Sequence, residues 1–502
     1  MKRILLLLIT VCLTHLLLMA NPVDVSTAHK VASNFLKNVG GETSSLTLVY
    51  SRGDEYYVFG TPQSFVIVAG DTRVNPILGY SKEGPWVDPG SQSDPGFASN
   101  FWGMMDNFEK QIKSSKQQNL VPNSDVKRNW QSLESGQMLK SAITPVKPLL
   151  TTKWNQVEPY NALFPKHSSN YQAVVGCVGV AMAQIMKYHN YPERGAGKNG
   201  YQFGDWPYVE ADFAATTYKW SDMPDSITEI NNSIATLMYH CAVSVYSMWR
   251  IGETAVISTI GEDDIVALSF IKNFKYAYSS IRSIGSWEYT PTQWDSILYT
   301  ELINKRPIYY AGSGSGEHAF VCDGVDQNNF YHFNFGWGGR YNGYYALNTI
   351  NPIGRDYSQS QYAIIGIKPN DGSTIAQDTT WKGNMTISSD VVVVEGVTLT
   401  IQAGSEIKFA KGTKLLLWGS LSSIGSKEYP VKFTALDTMD RWNGIKFYFY
   451  GDKKNTSQMT YTQVEYSKNH GLFANGRATG YGTQGKIEID HCKFNNNYGG
   501  PP

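Results

Sequence analysis

With 502 residues the chain has room for two to four domains. Its 43 basic and 43 acidic residues cancel, which leaves no basic excess for a nucleic acid or an anionic membrane surface. Forty-six glycines, 32 tyrosines and only 17% charged residues suit an extracellular, β-rich protein better than a cytosolic helical enzyme.

The chain opens with a basic Met1-Lys2-Arg3. An apolar run from Ile4 to Met19 follows, broken only by Thr10, Thr14 and His15. This is the pattern of a secretory signal over residues 1–20, cut after Ala20. The run is shorter than the ~20 apolar residues a helical span needs, so no membrane span is expected once it is removed. Cys12 does not read as a lipoprotein cysteine, because Val11 is too large for that cleavage site and the apolar run continues past it. Cys177, Cys241, Cys322 and Cys492 remain, scattered without framework spacing, and are read as free thiols.

Residues 21–141 read as a small α+β unit. Ala28, Val31, Ala32, Phe35, Leu36 and Val39 repeat at helical spacing before Gly40-Gly41. Short β-like runs follow at 48–50, 56–59, 65–68 and 77–80, separated by turn residues, which predicts an antiparallel meander. A helix over Phe101 to Ile112 closes the unit. Residues 114–145, rich in Lys, Gln, Asn and Ser and without apolar periodicity, are expected to be an exposed, cleavable linker.

Residues 142–370 read as a second α+β unit, helices first and antiparallel strands later. Its central stretch is Gly176-Cys177-Val178, leading into a helix with Val178, Ala181, Met182, Ile185 and His189 on one face and ending near Tyr191-Pro192. A cysteine at a helix start meets unpaired N–H groups and the positive end of the dipole, which favour the thiolate nucleophile. A small buried core residue is the blander reading of an average cysteine. A thiolate nucleophile needs a base. His318 lies 141 residues on, at the start of a strand after the flexible 312–316 stretch. A hairpin follows it. A two-residue turn at Gln327-Asn328 would set His318 opposite Trp337 and turn Asn334 to the other face, while a bulge or longer turn would reverse that. The amide of Gln156 and the Cys177 N–H are candidate oxyanion donors. No zinc spacing, phosphate loop or dinucleotide fingerprint occurs, so no metal or cofactor is expected.

Residues 371–502 alternate short β-runs with glycine corners at Gly396, Gly404, Gly412, Gly419 and Gly425. They predict an all-β region wound as a right-handed parallel β-helix, with a β-sandwich as the alternative. No capping element is evident after the last rung, so the solenoid is read as short or incomplete.

In combination, Lys153-Trp154-Asn155-Gln156, Gly176-Cys177-Val178, the run from Ala183 to Pro192, His318-Ala319-Phe320-Val321, Asp323-Gly324 and the stretch 334–339 resemble streptopain and its relatives, secreted bacterial cysteine peptidases with a papain-like core. The resemblance covers roughly residues 25–370. It implies Cys177 as nucleophile, His318 as general base and acid, Gln156 as oxyanion donor, and Asn334 and Trp337 framing the histidine. It also implies that the first unit is an inhibitory propeptide and that the partners are peptide or protein substrates. Phe335 stands where the family usually has tryptophan, and Gly179-Val180 replace smaller alanine or threonine residues. Two rivals remain. One is a surface adhesin or glycan-binding protein acting through the β region. The other is an acyltransferase or transglutaminase using the same residues.

Overall fold

The computed structural model describes residues 21–88, 95–138, 143–257, 259–313, 317–347, 361–449, 455–476 and 485–498, so the signal-like segment lies outside the described residues. Helix α1 (Val25–Asn38) is capped by Asp24, whose carboxylate accepts from Thr27 N, and buries Ala28, Val31, Ala32, Phe35 and Leu36. The four strands that follow, β1 (Thr47–Arg52), β2 (Tyr56–Gly60), β3 (Phe65–Ala69) and β4 (Ile77–Ser81), pair as the expected antiparallel meander. Strands β2–β4 are buried along their whole length, as strands covered on both faces must be. Helix α2 runs from Pro95 to Gln117, longer than the expected 101–112.

The expected exposed linker is corrected. Within it, Ser124–Glu134 forms helix α3, capped by Asn123, with Val126, Trp130 and Leu133 buried. Three apolar residues at i, i+4 and i+7 are a narrow stripe, hidden by lysine and serine on the wet face. The helix packs on α1 and is pinned there: Trp130 Nε1 donates to Val74 O and Asn34 Nδ2 donates to Leu133 O. Residues 139–142 lie outside the described residues.

The middle of the chain places helix α4 (Cys177–His189) against a second buried helix, α5 (Asn232–Ser244). Residues 179–186 are all buried, so α4 is a core helix surrounded on every side rather than the one-faced helix expected. Two ribbons flank these helices, β5 (Lys198–Tyr201) with β6 (Val209–Asp212) and β7 (Met248–Arg250) with β8 (Glu253–Ala255). Helix α6 (Ile265–Lys272) and strand β9 (Arg282–Gly285) follow. Helix α7 (Pro291–Ile303) begins with a Thr290/Gln293 capping box and Pro291 in its first turn. The remaining strands are β10 (Ile308–Ser313), β11 (Glu317–Val325), β12 (Tyr331–Asn334), β13 (Gly343–Tyr345) and β14 (Tyr362–Ile365).

One ten-stranded sheet joins the first two units, in the order β1-β2-β3-β4-β13-β12-β11-β10-β14-β9. The join is antiparallel, Tyr80 opposite Tyr344 and Gly79 opposite Tyr345. A side chain at Gly79 has no room: its Cβ would lie 2.4 Å from Tyr345 Cδ1. The two apolar cores divide by sheet face rather than by unit. One combines the first unit with Cys322, Phe333, Phe335 and Trp337. The other combines α4, α5, Ala319 and Val321 with the C-terminal region.

That C-terminal region is all β. Three five-stranded sheets run from Thr374–Ile375, Thr379–Trp381 and Asn384–Ile387 to Leu472–Gly476, Lys486–Asp490 and Lys493–Asn495. Every pairing in them is parallel. Gly396, Gly404 and Gly412 take positive φ, while Gly419 and Gly425 lie close against neighbouring backbone. The region is fixed to the middle unit. Thr374 Oγ1 donates to Tyr276 O, Lys272 Nζ lies 4.6 Å from the Trp418 ring centroid, and Tyr278 meets Trp418 edge-on. Among the described residues no helix is long and apolar enough to cross a membrane.

Candidate active site

Cys177 is the first residue of α4 and is half-buried. The preceding Gly176 has φ +82°, a conformation glycine adopts without strain, and a Cβ there would press on Thr254 at 3.0 Å. Gly176 caps the helix without a side-chain hydrogen bond of its own. Cys241 and Cys322 are buried, and burial pushes both thiols well above the usual range. No disulfide joins the four cysteines among the described residues.

His318 sits on β11, buried. Its Nε2 lies 3.0 Å from the Phe335 carbonyl oxygen. A carbonyl can only accept, so Nε2 carries the proton. Burial lowers the His318 pKa to about 4, with the Phe335 hydrogen bond pulling the other way, so the ring is neutral near pH 7. Its Nδ1 has no hydrogen-bond partner and therefore presents a lone pair. The ring stacks on Trp337, centroids 4.4 Å apart and planes 18° apart, with Phe320 and Phe335 at 5.8 and 6.3 Å. Helix α4 packs against both β10 and β11. On β10 the buried Tyr309 is held protonated by burial first, then by nearby Tyr362 and Cys177. The cysteine and the histidine thus stand on elements in direct contact.

The register that brings His318 to Trp337 comes from neither alternative alone but from a longer turn and a bulge together. Asp326 N donates to Phe330 O around a longer turn, so Val325 faces Tyr331 and Gly324 faces His332. A bulge at Asp323 then restores the register, giving Cys322 opposite Phe333 and Val321 opposite Asn334. Extra turn residue and bulge cancel. Asn334 is accordingly on the face away from the imidazole, buried, with its amide bonded to Thr152 O (2.8 Å), Gln184 Nε2 (3.1 Å) and Gly336 N (3.1 Å). The hydrogen bond to the imidazole comes instead from the backbone of the next residue, Phe335. Gln156 is half-buried, and its carbonyl accepts from Val175 N, two residues before Cys177.

His332 was not singled out by sequence, where it is one more histidine in an aromatic strand. Its Nδ1 lies 2.6 Å from Asp323 Oδ1 and its Nε2 2.8 Å from Glu83 Oε1, a residue 249 positions away in the first unit. Burial works against its proton, yet Asp323 and Glu83 outweigh it and raise the pKa to about 9. The other described histidines of the middle unit have structural partners: His167 with Ser169 and Asp205, His189 with Tyr276, His240 with Tyr218. Among the described residues no three His, Cys, Asp or Glu side chains are grouped to hold a metal.

Comparison with known proteins gives the same picture. Residues 154–345 match the Peptidase C10 family and residues 20–106 match the Spi protease inhibitor. The chain is 31% identical over 365 residues to streptopain of Streptococcus pyogenes, spanning 66% of this chain and 83% of streptopain. It is 30% identical over 419 residues to the thiol protease/hemagglutinin PrtT of Porphyromonas gingivalis. That match takes in 76% of this chain and 46% of PrtT, so the chain spans about half the length of that relative. A solved fragment of Prevotella intermedia prointerpain A superposes with a TM-score of 0.53 at 27% identity, covering 65% of this chain and 99% of the fragment.

Proposed function

The chain belongs to the peptidase C10 family of cysteine peptidases, and on that premise we propose that it is a secreted endopeptidase made as a zymogen. Cys177 Sγ passes its proton to His318 Nδ1 and attacks the peptide carbonyl carbon. The Cys177 N–H and the Gln156 amide stabilise the oxyanion. His318 then protonates the leaving amine, and on the return half activates water to hydrolyse the acyl-enzyme. Trp337 acts as a flat platform that keeps the imidazole in plane and dry. The observation that carries this reading is the His318 tautomer. Nε2–H is committed to the Phe335 carbonyl, and Nδ1 is left without a partner on a strand packed against the helix that opens with Cys177.

Residues 21–141 act as the chain's own inhibitor on this reading. Their support is position: α2 packs against β11, the strand of His318, and β4 extends the peptidase sheet at β13. Since 124–134 is a packed helix, the activating cut falls between about 135 and 145, where 135–138 are exposed, ahead of a peptidase unit ending near 370. Residues 371–502 wind as a right-handed β-helix. The support is that each strand pairs in parallel with the third strand after it. The matched relatives are named as peptidases, and adhesion through this region is not the favoured function, although the name of PrtT couples protease with hemagglutinin.

Replacing Cys177 with alanine tests the assignment. The Cys177→Ala precursor is expected to fold, to leave casein intact and to keep its full length in reducing buffer. Thiol-dependent hydrolysis by that variant would overturn the proposal.

A further inference from the structure

Catalysis by two residues on different elements needs one fixed separation between them, and a buried amide ties those elements together. Gln184 lies seven residues into α4 from Cys177 and is fully buried. A buried amide is costly unless its hydrogen bonds are made. Here each bond reaches a different part of the site. Oε1 accepts from Thr152 Oγ1 (2.9 Å) and from Trp154 N (3.4 Å), on the segment that leads to Gln156. Nε2 donates to Asn334 Oδ1 (3.1 Å), which also accepts from Gly336 N, while Asn334 Nδ2 donates to Thr152 O. The Trp154 and Gly336 N–H groups can only donate, so each amide has a single orientation.

The ring closes on both reacting residues. Asn334 and Gly336 flank Phe335, whose carbonyl holds His318 Nε2. On the other side, Gly338 N donates to Trp154 O, and Gln156 O accepts from Val175 N just before the nucleophile. A leucine or methionine would fill this volume with apolar surface, so packing alone does not require glutamine here.

We infer that Gln184 is a positioning residue: through Asn334–Gly336 and Thr152–Trp154 it sets the distance and angle between the nucleophile helix and the turn that orients His318. The inference rests on the roles proposed above for Cys177 and His318, and Gln184 itself does not touch substrate.

The test is Gln184→Glu in the full chain and in the product of its own processing, beside wild type, Cys177→Ala and His318→Ala. The carboxylate keeps the acceptor toward Thr152 and Trp154 but sets oxygen against Asn334 Oδ1. At pH 7.5 the expected result is a fall of about 10- to 100-fold in kcat and in the iodoacetamide alkylation rate of Cys177, with KM within about twofold. The ratio to wild type should recover as pH falls, because a protonated carboxyl again donates to Asn334. Thr152→Val, which removes one of two donors, guards against misfolding of the first variant. It should lower kcat in the same direction by about threefold. Wild-type kcat in both variants would overturn the inference while inert Cys177→Ala and His318→Ala left the catalytic assignment standing. A loss that merely follows a lowered Tm, with a flat pH ratio, would also overturn it. Activity in Cys177→Ala or His318→Ala would remove the catalytic assignment and the inference with it.

Discussion

The peptidase unit has two seams, and they are built from different chemistry. On one side, the first unit adds β4 to the edge strand β13, stacks Tyr80 on Tyr344 at 5.1 Å, and buries the Glu83–His332 contact. On the other side, the C-terminal region continues the apolar core of α4 and α5, with Tyr278 edge-on to Trp418 and the half-buried Lys272 over its ring. A sheet edge can give up its partner strand to water and remain a strand, and a charged pair can be undone by a proton. A shared apolar core has no such exchange: parting it exposes aromatic surface outright. The first seam is therefore suited to release and the second to permanence.

The sharpest way to break that comparison is to cut each seam. Ending the chain at residue 370 removes Trp418 from Tyr278 and Lys272 and uncovers one wall of the second core. Losing the burial of even one or two large side chains costs about 3–4 kcal/mol. For a unit of this size that lowers Tm by about 10 °C, or leaves insoluble protein. Differential scanning calorimetry of the truncated and full chains, both as Cys177→Ala, checks this. A truncated chain with unchanged Tm would make the C-terminal region a mere appendage. The first seam should yield to one side chain. Gly79→Val places a Cβ 2.4 Å from the Tyr345 ring across the seam, at a cost of about 1–3 kcal/mol. Peptide hydrolysis by the unshortened Gly79→Val precursor is expected to exceed that of wild type severalfold, read before any self-cleavage.

Much of this was legible in the chain itself, for physical reasons that differ by element. The α1 stripe and the meander showed because each buries one continuous apolar set against a neighbour close in sequence. Which face His318 takes was left open between a tight turn and a longer or bulged one; the chain has both a longer turn and the Asp323 bulge, and the two offset each other. Bulge and turn length depend on hydrogen bonds such as Leu150 N to Asp323 Oδ2, 173 residues apart, which no local pattern carries. Helix α3 was missed because three apolar residues suffice to dock a short helix. Gln184 passed as one residue of a helix interior, since a buried amide looks like any other glutamine until its partners at 152, 154 and 334 are in place. The Glu83–His332 contact had no signal at all.

That contact makes the first seam sensitive to pH, and the sign can be worked out. His332 has its pKa raised to about 9, so its contribution is fully present below the ordinary value near 6.5 and is lost as pH rises through 9. Burial alone would raise the Glu83 carboxyl, but the hydrogen bond and charge of His332 hold it below its ordinary 4.5, with Lys153 adding to the effect. The Glu83 contribution is present above 4.5 and is lost as pH falls through its lowered value. The groups facing His332 are Asp323 from the bulge, Glu83 from the first unit and the Tyr344 ring. The seam is thus strongest in a plateau between the acid limit of Glu83 and the alkaline limit of His332. Glu83→Gln keeps a hydrogen-bond acceptor for Nε2–H and removes only the charge. It should cost about 1 kcal/mol at pH 7. It should also abolish the acid limb and move the alkaline limb to lower pH, because His332 then keeps Asp323 as its only charged partner. Tm of the Cys177→Ala precursor with and without Glu83→Gln, taken from pH 4 to 10, reads both limbs at once. Parallel curves across that range would mean the pair lies in the seam without holding it, leaving release to the β4–β13 edge.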